Sequence, residues 1–120
     1  MVTLEDVRSY AMELPRTTEG MVRGRVKFYI GRIVYVAFSL DETLMGFAFP
    51  REWREVLVGS DPEKFLMPTG GDLRYNWVVV RTAAIDVDEM RELVLDAWAM
   101  VVPKKVVDEY AAHTTHRSDR

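Results

Sequence analysis

Positive charge is concentrated in one short stretch of this sequence, between residues 16 and 32. Five basic residues stand there against a single acid, Glu19. Lysine and arginine side chains neutralise phosphates and release the counterions that a nucleic acid carries. The five basic residues are Arg16, Arg23, Arg25, Lys27 and Arg32. This stretch is therefore the first candidate for a contact with nucleic acid.

The basic stretch overlaps a β-hairpin pattern. Residues 25–30 alternate in polarity, Gly31 and Arg32 suit a two-residue turn, and a second apolar run covers residues 33–40. Glycine at the first central position fits a turn that needs a positive φ. Because successive side chains of a strand point to opposite faces, the predicted inward residues are Val26, Phe28, Ile30, Val34, Val36, Phe38 and Leu40. The predicted outward residues are Arg25, Lys27, Tyr29, Ile33, Tyr35 and Ala37.

One face of the predicted sheet would gather the candidate DNA-binding residues. A later strand, residues 75–82, adds Trp77 and Arg81 to the surface. Aromatic rings can stack on unpaired bases, and the turn at residues 31–32 would enter a groove of DNA as a wing does. The candidate residues are Arg23, Arg25, Lys27, Tyr29, Arg32, Tyr35 and Arg81. We therefore predict a non-enzymatic DNA-binding surface built on the hairpin.

Other interpretations of the same face stay open. Strands commonly show charged side chains to water, and aromatic residues commonly fill cross-strand pairs. An apolar patch on an open sheet often marks a protein interface, and here it would consist of Tyr29, Ile33, Tyr35 and Trp77. That patch favours a homodimer or the docking of another protein. A small-ligand site, on this face or at the loop near Gly70, is the further alternative.

No other motif points to catalysis, a metal or a cofactor. The sequence has no cysteine, which excludes disulfides, thiolate metal sites and cysteine nucleophiles. His113 and His116 have a spacing that metal sites use, but the surrounding sequence offers no clear further ligand. Gly70 and Gly71 lack the lysine and hydroxyl residue that follow in a phosphate-binding loop. We expect no cofactor, no metal and no enzymatic activity.

Length and composition favour one globular domain. The chain has 120 residues, of which 48% are hydrophobic and 29% charged, as in ordinary soluble proteins. A net charge of −3 argues against strong binding to nucleic acid by the whole molecule. The N-terminus does not resemble a signal peptide, and the apolar runs are shorter than the ~18 residues that cross a membrane. We expect a domain at residues 1–112, a polar and frayed tail at residues 113–120, and a cytoplasmic location away from membranes.

The order of elements predicts an α+β fold. Helices are expected at residues 4–13, 51–57, 86–102 and 104–111, and strands at residues 25–30, 33–40, 43–49 and 75–82. Residues 16–24 and 68–72 are expected to be loops, and residues 61–65 a single helical turn. Asp86 and Glu89 form a capping-box pattern, and Gly46 indicates a bulge or a close approach to the backbone. Short turns make neighbouring strands antiparallel, so we predict two layers, with the helices on one face of an antiparallel sheet.

Four stretches, taken in order, resemble the MmcQ/YjbR-like family of small bacterial domains, whose function is largely unassigned. The stretches are Leu14 to Gly20, Lys27 to Phe38, Asn76 to Val80, and Asp88 to Lys105. The sequence departs from the family pattern at Arg32, where lysine is common, and at Asn76, where glycine or histidine is common. The resemblance implies a CyaY-like, or frataxin-like, fold and a DNA-binding role through a double-wing arrangement.

A frataxin-like fold also raises the question of iron binding. In frataxins an acidic ridge on the first helix holds iron, whereas the first helix here offers only Glu5, Asp6 and Glu13. The acids near the start of the helix at residues 86–102 suit a helix N-terminus, where negative charge is favourable. We therefore do not expect iron binding.

Overall fold

The computed structural model describes the backbone of residues 1–118 and the side chains of residues 1–113. Its α-helices are α1 (Leu4–Ala11), α2 (Arg54–Ser60), α3 (Val87–Val101) and α4 (Lys104–Ser118). Its strands are β1 (Thr17–Val22), β2 (Arg25–Ile30), β3 (Ile33–Phe38), β4 (Leu44–Ala48), β5 (Phe65–Leu66) and β6 (Trp77–Arg81). Short 3-10 helices cover Arg51–Trp53, Gly70–Arg74 and Thr82–Ala84. Within this part of the chain, no helix combines the length and the apolar run that crossing a membrane would take.

The strands form one antiparallel sheet in the order β1-β2-β3-β4-β6-β5. Helix α3 packs on β3 and β4, and α1 packs on α3. We call the sheet face under these helices the inner face. Its core is apolar and includes Val26, Phe28, Val36, Phe47, Val78 and Val80, which meet Met90, Val94, Ala97 and Trp98 of α3. This arrangement confirms the predicted two-layer α+β fold.

Side-chain contacts hold α3 near both of its ends. The buried Trp98 indole donates from Nε1 to the carbonyl of Pro15 at 2.9 Å, and its ring packs edge-on against Tyr110 of α4. Asp86 caps α3 by accepting from the Glu89 amide at 2.8 Å. The Glu89 carboxylate pairs with Lys64 at 3.0 Å and does not return to the Asp86 amide. Only the Asp86 half of the predicted capping box is therefore present.

The stretch at residues 16–24 is a strand, and the predicted loop is wrong. Strand β1 pairs with β2 along its whole length, and the two are joined by a turn in which Arg23 and Gly24 have φ values of 54° and 81°. Two positive φ values define the turn type that suits the twist of a hairpin. The residues of β1 are mostly polar because the strand lies at the edge of the sheet. The sequence therefore showed no apolar pattern that would predict a strand there. Its half-buried Glu19 is neutralised by a bidentate pair with Arg8 at 2.8 and 2.9 Å.

Three further boundaries differ from the prediction. Phe65–Leu66 is a short strand beside β6, where a helical turn was predicted. Gly70–Arg74 is a 3-10 helix where a loop was predicted, and β6 starts only at Trp77. Helix α4 continues past Ala111 to Ser118, through most of the predicted tail. Residues 119–120 lie outside the described part of the chain.

An irregularity between β2 and β3 reverses the predicted orientation of two side chains. The pairing shifts between Phe28 and Tyr29, so that one extra residue, Tyr35, is inserted in β3. Tyr35 is fully buried and shares a 2.7 Å hydrogen bond with Thr17, while Val34, opposite Tyr29, is only half-buried. A bulge of this kind breaks the two-residue period on which the prediction rested. The predictions that Tyr35 faces outward and that Leu40, which is 64% exposed, faces inward are both wrong.

Burial of Tyr35 predicts a loss of stability at alkaline pH. Burial raises the pKa of the Tyr35 phenol to about 12, and the hydrogen bond with Thr17 offsets this only in part. A pKa raised in the folded state gives stability that is present below the unfolded pKa and is lost as pH rises through the folded pKa. We expect the free energy of unfolding to fall between pH ~10 and ~12, as tyrosinate absorbance appears.

The Tyr35→Phe variant tests the assignment of this effect. Its free energy of unfolding should fall less steeply over the same range, measured by urea denaturation at each pH. Some of the fall should remain, because burial also raises the pKa of Tyr10 to about 12. Equal pH dependence in the two proteins would contradict the role given to Tyr35.

Candidate functional site

The sheet face opposite the helices, here called the outer face, carries a groove of about 930 Å³. Its floor is the middle of the sheet, where β3 and β4 present the small residues Ala37, Gly46 and Ala48, and the larger Val34 and Leu44 of the same strands also line it. Larger side chains rise on both sides, from β2 and from β6. The groove therefore follows from the placement of small residues on the two central strands.

One side of the groove is cationic. Arg25 and Lys27 are two residues apart on β2, so both side chains belong to the outer face. Arg25 is exposed and Lys27 half-buried, and both line the groove. Among the residues whose side chains are described, no carboxylate forms a salt bridge with either one. Their charges are thus available to an anion.

The other side of the groove is aromatic. The Trp77 indole lies across the backbone of Gly46, so closely that a Cβ at position 46 would be 2.5 Å from Nε1. Glycine is required here because any other side chain would collide with the ring. This is the close approach that Gly46 predicted. The ring is half-buried, and one side of it rests on the sheet.

A second aromatic ring is packed against a glycine on the same face. Tyr29 crosses the backbone of Gly20 on β1, where a Cβ would be 2.9 Å from the phenol ring. Tyr29, Lys27 and Arg32 line a smaller depression of about 280 Å³ beside the groove. The outer face therefore has two aromatic platforms, on either side of Lys27.

The groove is walled at the end where β6 begins. Asp72, Tyr75 and Asn76 come from the segment before β6, and residues 100–103 come from the junction between α3 and α4. At the opposite end lie Arg25 and, outside the groove, the exposed Arg81 of β6. The groove thus has one walled end and one basic end.

A buried arginine holds the wall in place. Arg54 is 6% exposed, and its guanidinium donates to the carbonyls of Leu73, Tyr75 and Trp77 at 2.7 to 3.1 Å. No described acceptor lies on its Nε. Arg51 adds hydrogen bonds to the same segment, including one from its amide to Asn76 Oδ1 at 3.0 Å. Since a charged donor in a buried site needs partners, Arg54 and these carbonyls stabilise each other.

The structure brings together only part of the predicted set of site residues. Arg25, Lys27 and Tyr29 share the outer face, and Arg81 lies at its basic end. Arg23 and Arg32 occupy the turns at opposite ends of β2, about 20 Å apart for a six-residue strand. Tyr35 lies in the core and is therefore not part of the candidate surface.

Sequence reasoning missed the wall of the groove. Asp72, Tyr75 and Met100 are distant from the hairpin in sequence, and only the folded sheet brings them near it. No local pattern marks them, although Asn76 and Trp77 had been singled out as part of a recognisable strand.

The described residues hold no group of three or more side chains able to bind a metal ion. His113 is exposed on α4. The side chain of His116, the other half of the predicted pair, lies outside the described residues.

Comparisons with known proteins agree with this architecture. The family model described as YjbR matches residues 12–100. Among solved structures, the Deinococcus radiodurans protein DR2400, with the domain DUF419, is similar with a TM-score of 0.70 at 20% identity. The similarity covers 83% of this chain and 78% of that one. At this identity, the structural match supports the fold alone. No curated protein matches the chain.

A pair of glycine substitutions tests the packing of Trp77 against Gly46. Gly46→Ala should lower the free energy of unfolding by about 1 to 3 kcal/mol, because the new methyl group collides with the indole. Gly59→Ala is the matched control, since a Cβ there meets nothing within 4 Å and Gly59 lies inside α2. Alanine should raise stability at that position by about 0.5 to 1 kcal/mol. Urea denaturation measures both, and a neutral Gly46→Ala would contradict the packing described.

Proposed function

The chain belongs to the YjbR family, and we propose that this member is a non-enzymatic binding protein that holds single-stranded DNA across the outer face. The proposal is carried by one observation. Two half-buried aromatic rings, Tyr29 and Trp77, are packed against glycines of the same open sheet face, with the cations of Arg25 and Lys27 beside them.

Half-buried aromatic rings on an open sheet face suit the stacking of unpaired bases. Each ring meets the backbone of a glycine and stays partly exposed, which leaves part of its surface for a base. Base stacking on an aromatic side chain contributes about 1 to 3 kcal/mol and tolerates any sequence. Tyr29 rests over β1 and Trp77 over β4, three strand spacings or about 14 Å apart. A short run of unpaired nucleotides spans that distance.

The cations lie where the backbone of such a strand would pass. Lys27 stands between the two depressions that the rings occupy, and Arg25 is next to it on β2. With a net charge of −3 for the whole chain, attraction to phosphate depends on this local pair. Binding should therefore be weak and strongly dependent on salt.

The positions of the turns favour single strands over a duplex. A duplex would be read by the hairpin turns acting as wings, but the turns with Arg23 and Arg32 point away from opposite ends of β2. They cannot enter one groove side by side. The bases of a duplex are also stacked on each other and unavailable to Tyr29 and Trp77.

The lining of the groove supports a role without catalysis. Among the described residues that line it, Asp72 is the only carboxylate and histidine is absent. General acid–base chemistry commonly uses two such groups within reach of the substrate. The groove therefore suits holding a ligand better than transforming one.

Titration of labelled single-stranded and double-stranded DNA at two salt concentrations tests the proposal. We expect micromolar, salt-sensitive binding of the single strand and weaker binding of the duplex. The Arg25→Glu, Lys27→Glu variant should lose this binding and its salt dependence. The slope of the logarithm of the binding constant against the logarithm of the salt concentration should be smaller by about 0.7 per phosphate contact removed.

A matched charge variant separates a local site from overall charge. Arg91→Glu with Lys105→Glu changes the net charge equally, and both residues are exposed on helices. This control should bind the single strand nearly as wild type does. Equal losses in the two variants, or no binding at low salt, would reject the DNA proposal. A dimer that the Tyr29 or Trp77 face stabilises would then favour a protein interface.

A further inference from the structure

We infer that the groove is a pocket for one nucleotide unit, which it takes as a nucleoside monophosphate. The inference rests on the proposed function, because it assigns nucleotide chemistry to the outer face. It goes further by placing the phosphate, the sugar and the base within the groove.

The size of the groove fits one such unit. Sites for small ligands commonly enclose about 300 to 1,000 Å³, and this groove has about 930 Å³. The depression beside Tyr29 on the same face is smaller, at about 280 Å³. A ligand enclosed on several sides would therefore sit in the groove.

The two sides of the groove match the two ends of a nucleotide. Arg25 and Lys27 on β2 would bind the phosphate with charge-assisted hydrogen bonds. The Trp77 ring lies over β4, two strand spacings or about 10 Å away, and would stack on the base. Between them the small side chain of Ala37 on β3 leaves room for the sugar.

The walled end supplies groups that can hydrogen-bond the edge of a base. Asn76 Oδ1 already accepts from the Arg51 amide, so the side-chain amide of Asn76 keeps its N–H donors for a ligand. The Asp72 carboxylate accepts no hydrogen bond from any described group and offers acceptors beside it. A donor and an acceptor together can bind a base edge that carries both.

The wall encloses the ligand on one further side. Tyr75 and residues 100–103 line the groove at the end where β6 begins. The segment before β6 is held by the hydrogen bonds of the buried Arg54, so the wall does not open without breaking them. A base next to Trp77 is therefore enclosed at that end.

Calorimetric titration with nucleoside 5′-monophosphates tests the pocket directly. We expect saturable one-to-one binding, with the matching nucleoside and inorganic phosphate each binding roughly tenfold more weakly or worse, because each lacks one of the two sets of contacts. Equal heats from inorganic phosphate and from the monophosphates would overturn the inference.

Variants place the ligand within the groove. Lys27→Gln and Asp72→Ala should each weaken binding of the monophosphates by about tenfold. Lys105→Gln is the matched control, because Lys105 is exposed on α4 and lines neither the groove nor the depression. Urea denaturation establishes that each variant is folded. A loss for Lys105→Gln as large as that for Lys27→Gln would contradict the placement.

Competition between a monophosphate and labelled single-stranded DNA distinguishes the pocket from the proposed function. We expect the monophosphate to displace the single strand, because both would contact Lys27 and Trp77. If single-stranded DNA binds and no monophosphate binds or competes, the proposed function stands and the pocket is rejected. If monophosphates bind but no DNA does, the pocket stands and the proposed function fails.

Discussion

The contact between the Trp77 indole and the backbone of Gly46 determines the shape of the outer face. The ring can take this position only because position 46 has no Cβ. With the ring in that place, the small residues Ala37 and Ala48 remain as an open floor between β2 and β6. A larger residue at Gly46 would lift the ring into the groove and fill it. The shape of the candidate site thus depends on the close contact between the Trp77 side chain and the backbone of Gly46.

The two faces of the sheet have different roles. The inner face is covered by apolar contacts with α3, where Met90, Val94 and Trp98 are fully buried. Burial of such side chains contributes about 1.5 to 3 kcal/mol each, so the helices supply the stability of the domain. The outer face has no helix over its centre in the described chain, and it can carry cations and exposed rings because the fold does not depend on them.

Arg54 contributes both to the stability of the domain and to the shape of the outer face. A buried guanidinium is costly unless its donors find acceptors, and here the carbonyls of Leu73, Tyr75 and Trp77 provide them. The arrangement fixes a segment that would otherwise move, and that segment is the wall of the groove. A charge placed inside the protein for structural reasons therefore gives the candidate site its shape.

Much of the fold could be predicted from the sequence, because β2 follows strict alternation and α3 has a clear apolar stripe. The orientation of Tyr35 could not be predicted, since a bulge adds one residue to β3 and no local sequence pattern indicates the bulge. Strand β1 was hidden by its polar residues, whose partners Arg8 and Tyr35 become visible only in the fold. Gly46 indicated a close approach but not which ring makes it, and Asp72 and Met100 join the groove from distant parts of the chain.

The most direct measurement of the central claim is the fluorescence of Trp77 during titration with single-stranded DNA. In a Trp53→Phe background only Trp77 and Trp98 emit, and Trp98 is buried with its N–H bonded to Pro15. We expect emission to be quenched in parallel with binding measured by calorimetry, because a base stacks on the exposed side of Trp77. Binding without any change in Trp77 emission would show that the DNA lies elsewhere and would contradict the account.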